Sequence, residues 1–165
     1  MIIKAIPTGE IQANCYIVMD ENTSEAVIID PGADEEIIYN LIENMKAKVK
    51  YILLTHGHFD HVGAVEYLSE KLNVPFYINK KDEEYALKDD YVFTKLRKAD
   101  GYLKEGDTLF LGSIGRTDFN GGSFEEIISS IKTKLIPLGD NIKVYPGHGP
   151  SSTISYEKMR NPYLR

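Results

Sequence analysis

The sequence predicts an α/β layered domain, and three observations carry that reading. Short runs rich in Ile, Val and Tyr, bounded by turn residues, alternate with stretches whose apolar residues recur at helical spacing. The 165 residues suit one domain with a sizeable core, and 42% hydrophobic with 27% charged residues is ordinary globular composition. All four histidines fall where a strand-like run ends, the edge at which α/β sheets place their sites.

The elements follow in order. "MIIKAIP", "NCYIVMD" and "EAVIIDPG" read as strands separated by turns. "ADEEIIYNLIENMKA" is a helix: Ile37, Ile38, Leu41, Ile42 and Met45 keep helical spacing, with acids in the first turn. "KVKYILLT" reads as a buried strand running into His56. Val62, Val65, Leu68 and Leu72 mark a second helix, and "VPFYINK" another strand. "SFEEIISSIKTKLIPL" is a further helix with Ser123 as N-cap and a stripe of Ile127, Ile128, Ile131 and Leu135. "NIKVYPGHGP" is a last strand ending in the loop of His148, and residues 80–112 have no clear period. We therefore expect a single domain over 1–165.

The chemistry gathers in "THGHFDHVGA", residues 55 to 64. Imidazole and carboxylate are the nitrogen and oxygen ligands of zinc and similar metals. At a strand end, alternation would point His56 and His58 the same way, while Asp60 and His61 reach a neighbouring point. Gly57 lets the backbone bend between them, and Gly63 allows a tight helix start. Two ligand pairs aimed at adjacent points suit two cations, an arrangement that activates water for hydrolysis. A solvated polar turn explains one histidine well; it explains three and a carboxylate after a buried strand poorly. His148 reads alone as a loop residue or a ligand, and with the cluster as a ligand. Cys15, flanked by Asn14 and Tyr16, reads as a small buried strand residue rather than a nucleophile.

The stretch "THGHFDH" resembles the His-x-His-x-Asp-His signature of the metallo-β-lactamase fold superfamily. The order of "NCYIV", "IIDPG", "YILLTHGHFDHVGA", "GRTD" and "YPGHGP" is similar to its glyoxalase II-like hydrolases. That resemblance implies an αββα sandwich with two divalent metal ions at one edge, zinc first and iron or manganese as alternatives. It implies His56 and His58 on one metal, Asp60 and His61 on the other, and His148 completing the second. Asp30 matches an aspartate that orients a ligand, although an Asp-Pro-Gly turn is an equal reading of its residue types. Arg116 and Asp118 match a structural pair in a loop near the site. "EGDTLFLGSIGRTDF" carries an aspartate that bridges both metals in the family, making Asp107 the candidate bridge; the same phrase also resembles an earlier turn. The family's remaining histidine has no counterpart, because no histidine lies between His61 and His148. The chain therefore reads as spliced across two similar phrases, with some central strands absent.

The function implied is hydrolysis of a thioester, such as a hydroxyacyl-thiol, by water activated on the metals, with Asp60 both ligating and orienting. A mononuclear iron persulfide dioxygenase of the same fold is the alternative, and a catalytically impaired metal-binding or interaction protein follows if the central strands are truly absent. The partner expected is a small-molecule substrate, with a homodimer possible. A formal net charge of -6 argues against nucleic acid. No apolar run is long enough to span a bilayer, and the start has no signal-peptide pattern. With one cysteine as well, a cytoplasmic protein is expected.

Overall fold

The computed structural model describes residues 1–87, 96–103, 109–110, 113–114 and 123–165. The chain divides into two compact units, Met1–Gly106 and Asp107–Arg165. Each is mixed α/β or smaller sheet-and-helix structure, as the strand and helix alternation predicts.

The first unit is built on a sheet of six strands in sequential order: β1 (Ile2–Thr8), β2 (Ala13–Met19), β3 (Glu25–Ile29), β4 (Lys48–Leu53), β5 (Phe76–Asn79) and β6 (Gly101–Leu103). β1, β2 and β3 pair antiparallel, because short turns join them. From β3 to β6 the pairing is parallel, which requires crossovers. Helix α1 (Glu35–Met45) makes the first; α2 (Phe59–Val62) and α3 (Val65–Leu72) make the second; α4 (Lys80–Leu87) begins the third. Strand residues Ile17, Ile28, Ile52, Phe76 and Ile78 pack with Ile38 and Ile42 of α1 and Val65 and Leu68 of α3, all fully buried. Ile37 belongs to the expected stripe but is 59% exposed. It is one residue off the Ile38–Ile42 line that faces the sheet.

Two expectations need revision. β4 is not buried along its length: Lys48, Lys50 and Tyr51 are exposed, and only Ile52 and then Leu54 are buried. Burial thus deepens toward the end that leads into the histidines. The helix expected from Val62 to Leu72 is broken at Gly63 and Ala64. The Ala64 N–H donates to the Pro31 carbonyl at 3.0 Å, so it does not continue a helical ladder. Gly63 is there for space: a Cβ on it would lie 2.3 Å from the Gly32 carbonyl oxygen.

The second unit holds the strand pairs β7 (Leu109–Phe110) with β8 (Ser113–Ile114) and β9 (Lys143–Val144) with β10 (Ser152–Thr153). Ser123 caps α5 (Phe124–Ser130), its hydroxyl accepting the Glu126 N–H at 3.2 Å as its residue type predicts. The helix widens to a π-turn over Ile131–Leu135 and ends in a 3-10 turn carrying Pro137. Thr153 caps α6 (Ile154–Arg160) in the same way. Ile131, Ile154 and Leu164 form the small core. Beside it Glu157, 1% exposed, accepts Ser152 Oγ and Asn161 Nδ2, the latter at 2.8 Å. Asn161 Nδ2 also donates to the Ser113 carbonyl at 2.9 Å. Among the described residues, no helix is long and apolar enough to cross a membrane.

Candidate metal centre

The site starts where β3 ends. The Asp30 N–H donates to the Leu53 carbonyl at 3.0 Å, so this residue still belongs to the β3–β4 ladder. Its φ of 50° then turns the chain into the Pro31-Gly32 loop. A left-handed conformation is tolerated by aspartate better than by most residues, at a cost the surroundings must offset. They do so through the carboxylate, which is 2% exposed. Oδ1 accepts the Thr55 N–H at 2.7 Å, Oδ2 accepts Thr55 Oγ1 at 2.5 Å, and His61 Nδ1 lies 3.0 Å from Oδ2. With both oxygens engaged, Asp30 acts as an orienting group rather than as an open ligand.

These contacts decide where the His56 proton sits. Thr55 Oγ1 spends its one proton on Asp30, and it lies 2.9 Å from His56 Nδ1. It can therefore only accept there, which puts the His56 proton on Nδ1 and leaves Nε2 bare. The Asp30 carboxylate lies 3.0 Å from His61 Nδ1 without closing a hydrogen bond on it, and His61 Nε2 lies 3.5 Å from Asp60 Oδ2. Imidazole and carboxylate atoms gathered this closely fit a cation, and the donor set suits a borderline divalent metal. Asp30, His56 and His61 all offer ligand-type atoms within 4.8 Å of one another. Burial first, and the neighbouring His61 next, pull the His56 pKa down to about 3, so the ring is neutral and able to bind metal at pH 7.

The ring of His56 meets that of His58 edge-on at 4.5 Å and that of His61 at 4.1 Å. The sequence argument placed His56 and His58 together by strand alternation. β4 ends at Leu53, so their proximity comes from the loop instead. Nor do the residues separate cleanly into two pairs, since His61 packs directly on His56.

Glycines let the two loops meet. A Cβ on Gly32 would stand 1.7 Å from the Asp60 carbonyl oxygen and 3.2 Å from the His61 nitrogen. The backbone of the ligand-bearing helix turn therefore rests on Gly32, as Gly32 in turn rests on Gly63. The sequence shows both glycines but not that they face each other.

His56, His58, Asp60 and His61 are thus brought together in the first unit. His148 belongs to the second unit, half-buried in the loop between β9 and β10. Asp107 lies outside the described residues, as do Arg116 and Asp118. Cys15 is fully buried, and burial pushes its thiol pKa up, as expected of an inert strand residue. Two features were not anticipated. Thr55 fixes the His56 tautomer, and Asp82 is a partly buried carboxylate. Burial raises the Asp82 pKa above the ordinary carboxylate range. In "NKKDEEYA", Asp82 looks like one more solvated charge.

Comparison with known proteins gives a consistent result. The sequence profile of the metallo-beta-lactamase superfamily matches residues 8–105. The hydroxyacylglutathione hydrolase GloC of Haemophilus influenzae is 35% identical, over 99% of this chain and 98% of its own length. The crystal structure of BLEG-1 B3 metallo-beta-lactamase superimposes with a TM-score of 0.87 at 30% identity, covering 99% of both chains. That of TTHA1623 in a di-iron-bound form gives 0.86 at 31% identity, covering 98% of this chain and 100% of the other. The GloC alignment spans 209 residues against 165 here, so at least 44 positions, the difference, have no counterpart in this chain. Since both chains are covered almost end to end, those positions fall inside the alignment rather than at its ends.

Proposed function

Because the chain belongs to the metallo-β-lactamase superfamily, we propose that its histidine loop is the metal centre of a hydrolase acting on a thioester. The observation that carries the reading is the convergence of the rings: those of His58 and His61 lie 4.5 and 4.1 Å from that of His56, Thr55 holds the His56 Nδ1 hydrogen, and His61 lies between the carboxylates of Asp30 and Asp60. A polar turn needs no such arrangement. The proposed ligands are His56 and His58 for one ion, Asp60 and His61 for the other, with Asp107 and His148 contributed as the resemblance assigns them.

Divalent metals held there would supply a water acidic enough to attack a carbonyl at neutral pH, and positive charge to offset the negative charge that develops. The chain's own residues do the rest. Thr55 keeps the His56 imidazole in one tautomer, and Asp30 packs against the His61 ring. Asp60, half-buried at the start of α2, would hold and orient the attacking water through its carboxylate. Neither a serine nor a cysteine nucleophile is required, and Cys15 is too deeply buried to serve.

The thioester class is supported by the hydroxyacylglutathione hydrolase among the relatives. The test is hydrolysis of a hydroxyacyl-glutathione thioester by the zinc-loaded chain and by Asp60→Ala. The variant should lose at least about a thousandfold in kcat/KM, some 4 kcal/mol of transition-state stabilisation, with unchanged circular dichroism. Full activity in the variant would overturn the role of Asp60, and an inert wild type would overturn the substrate class. A second reading is a mononuclear iron persulfide dioxygenase: a 31% identical relative in a di-iron-bound form makes iron a candidate metal for such a site, though it speaks for the metal and not for a single ion. Oxygen uptake by the iron-loaded chain with glutathione persulfide decides it. Neither activity, with no metal retained, would leave the impaired protein implied by the internal shortening.

A further inference from the structure

We propose that Glu157 is a positioning residue for His148: its buried carboxylate ties Ser152, at the foot of the β9–β10 loop, to Asn161. The loop that carries His148 is thereby kept in one seat. The inference rests on the metal-centre reading above, in which His148 is a ligand, and adds a residue that acts through the loop without touching a metal.

The need for such a residue is set by the loop. His148 stands between Gly147 and Gly149, and Gly149 has a φ of 75°, in the left-handed region that glycine enters freely. Two flanking glycines leave a histidine backbone with more freedom than a ligand position can use. The ladder beneath the loop is short: Val144 pairs with Ser152, and Lys143 with Thr153. The Ile154 N–H adds one further rung, donating to the Ile142 carbonyl at 3.0 Å. From Gly149 to Ser151 the chain is exposed, and Ser152 is the first buried residue after His148. Whatever holds Ser152 therefore holds the returning arm of the loop.

Glu157 does this from α6. One carboxylate oxygen accepts Ser152 Oγ, and the other accepts Asn161 Nδ2 at 2.8 Å. Asn161 is fully buried and is itself locked: Nδ2 also donates to the Ser113 carbonyl at 2.9 Å, and Oδ1 accepts the Tyr163 N–H at 3.0 Å. The hub thus joins β8, β10 and the chain that follows α6. The helix stands on its own supports, with Ile154 in the small core and Lys158 Nζ on Asp140 Oδ1 at 2.6 Å. A buried carboxylate is a costly way to fill space, and an apolar side chain of similar volume often stabilises as well or better. What the carboxylate does that an apolar group cannot is hold two donors, from β10 and from beyond α6, in one geometry.

The experiment measures stepwise zinc affinities of the full chain by competition with chromophoric chelators, for wild type, Ser152→Ala, His148→Ala and the double variant. Ser152→Ala cuts the link to the loop and leaves Glu157 with Asn161. It should weaken one of the two zinc ions about tenfold or more, the usual effect of losing a group that orients a ligand, with the other bound as in wild type. In the His148→Ala background the same substitution should add nothing, because the residue it positions is gone. Wild-type affinities in Ser152→Ala, an equal loss for both ions, or a loss that adds in full to that of His148→Ala overturns the proposal. A merely structural role of the hub gives one of these three results. Should Ser152→Ala fail to fold, Glu157→Gln, which keeps one acceptor oxygen, is read in the same way. A wild type that binds no zinc refutes the metal centre instead, and the His148 ring signals in NMR spectra of the metal-free chain then judge the clamp. One set of signals that splits or broadens in Ser152→Ala supports it; unchanged signals overturn it.

Discussion

The two units of the chain are stabilised in different ways. The first has a six-stranded sheet whose core runs from Cys15 to Leu96 and includes nine fully buried strand and helix positions named above. Among the described residues the second has Ile131, Ile154 and Leu164 as its buried hydrophobic cluster, while Leu138 and Met159 are 61% and 62% exposed. Beside that cluster lies a buried polar hub, Glu157 with Ser152 and Asn161. The histidine loop belongs to the better-packed unit. Ligands that must converge to within fractions of an ångström are best carried on elements that cannot shift, and β3, β4 and β5 provide that footing.

Substitutions should sharpen this contrast. The largest effect is expected from Gly32→Ala, since its Cβ would stand 1.7 Å from backbone that has no freedom to move. It should cost more than about 3 kcal/mol and abolish metal binding, because the Asp60–His61 peptide must be displaced. Denaturant unfolding and zinc titration check both parts; a variant that binds zinc normally would refute the contact. Ile28→Ala, in the centre of the sheet, should cost about 3 kcal/mol and lower amide protection throughout the first unit. Glu157→Gln leaves one carbonyl oxygen as acceptor and should cost about 1–2 kcal/mol. Its amide exchange should rise in α6 and β10 while the first unit is unchanged. Equal loosening of both units would mean that they do not stand on separate supports.

Much of this was legible beforehand, for reasons that particular residues make plain. The order of strands and helices follows from local period and turn residues, and Ser123 is an N-cap by residue type. The cluster at His56–His61 stands out because four metal-ligating side chains in six positions have no structural explanation. What stayed hidden depends on residues distant in sequence. Nothing in "IIDPG" says that Gly32 lies under Asp60, or that Gly63 is small for the sake of the Gly32 carbonyl. The break between α2 and α3 follows from Pro31, which captures the Ala64 N–H 33 positions along the chain. The reason His56 and His58 meet was misjudged because strand alternation was carried past Leu53, where β4 ends.

The central claim is that the His56–His61 loop serves a metal centre, and elemental analysis of the purified full-length chain tests it most directly. The measurement compares wild type with His61→Ala, which removes the ring held between Asp30 and Asp60. The account predicts two divalent ions per wild-type chain and loss of at least one in the variant at unchanged secondary structure. A wild type that carries no metal after incubation with zinc, iron or manganese would contradict it.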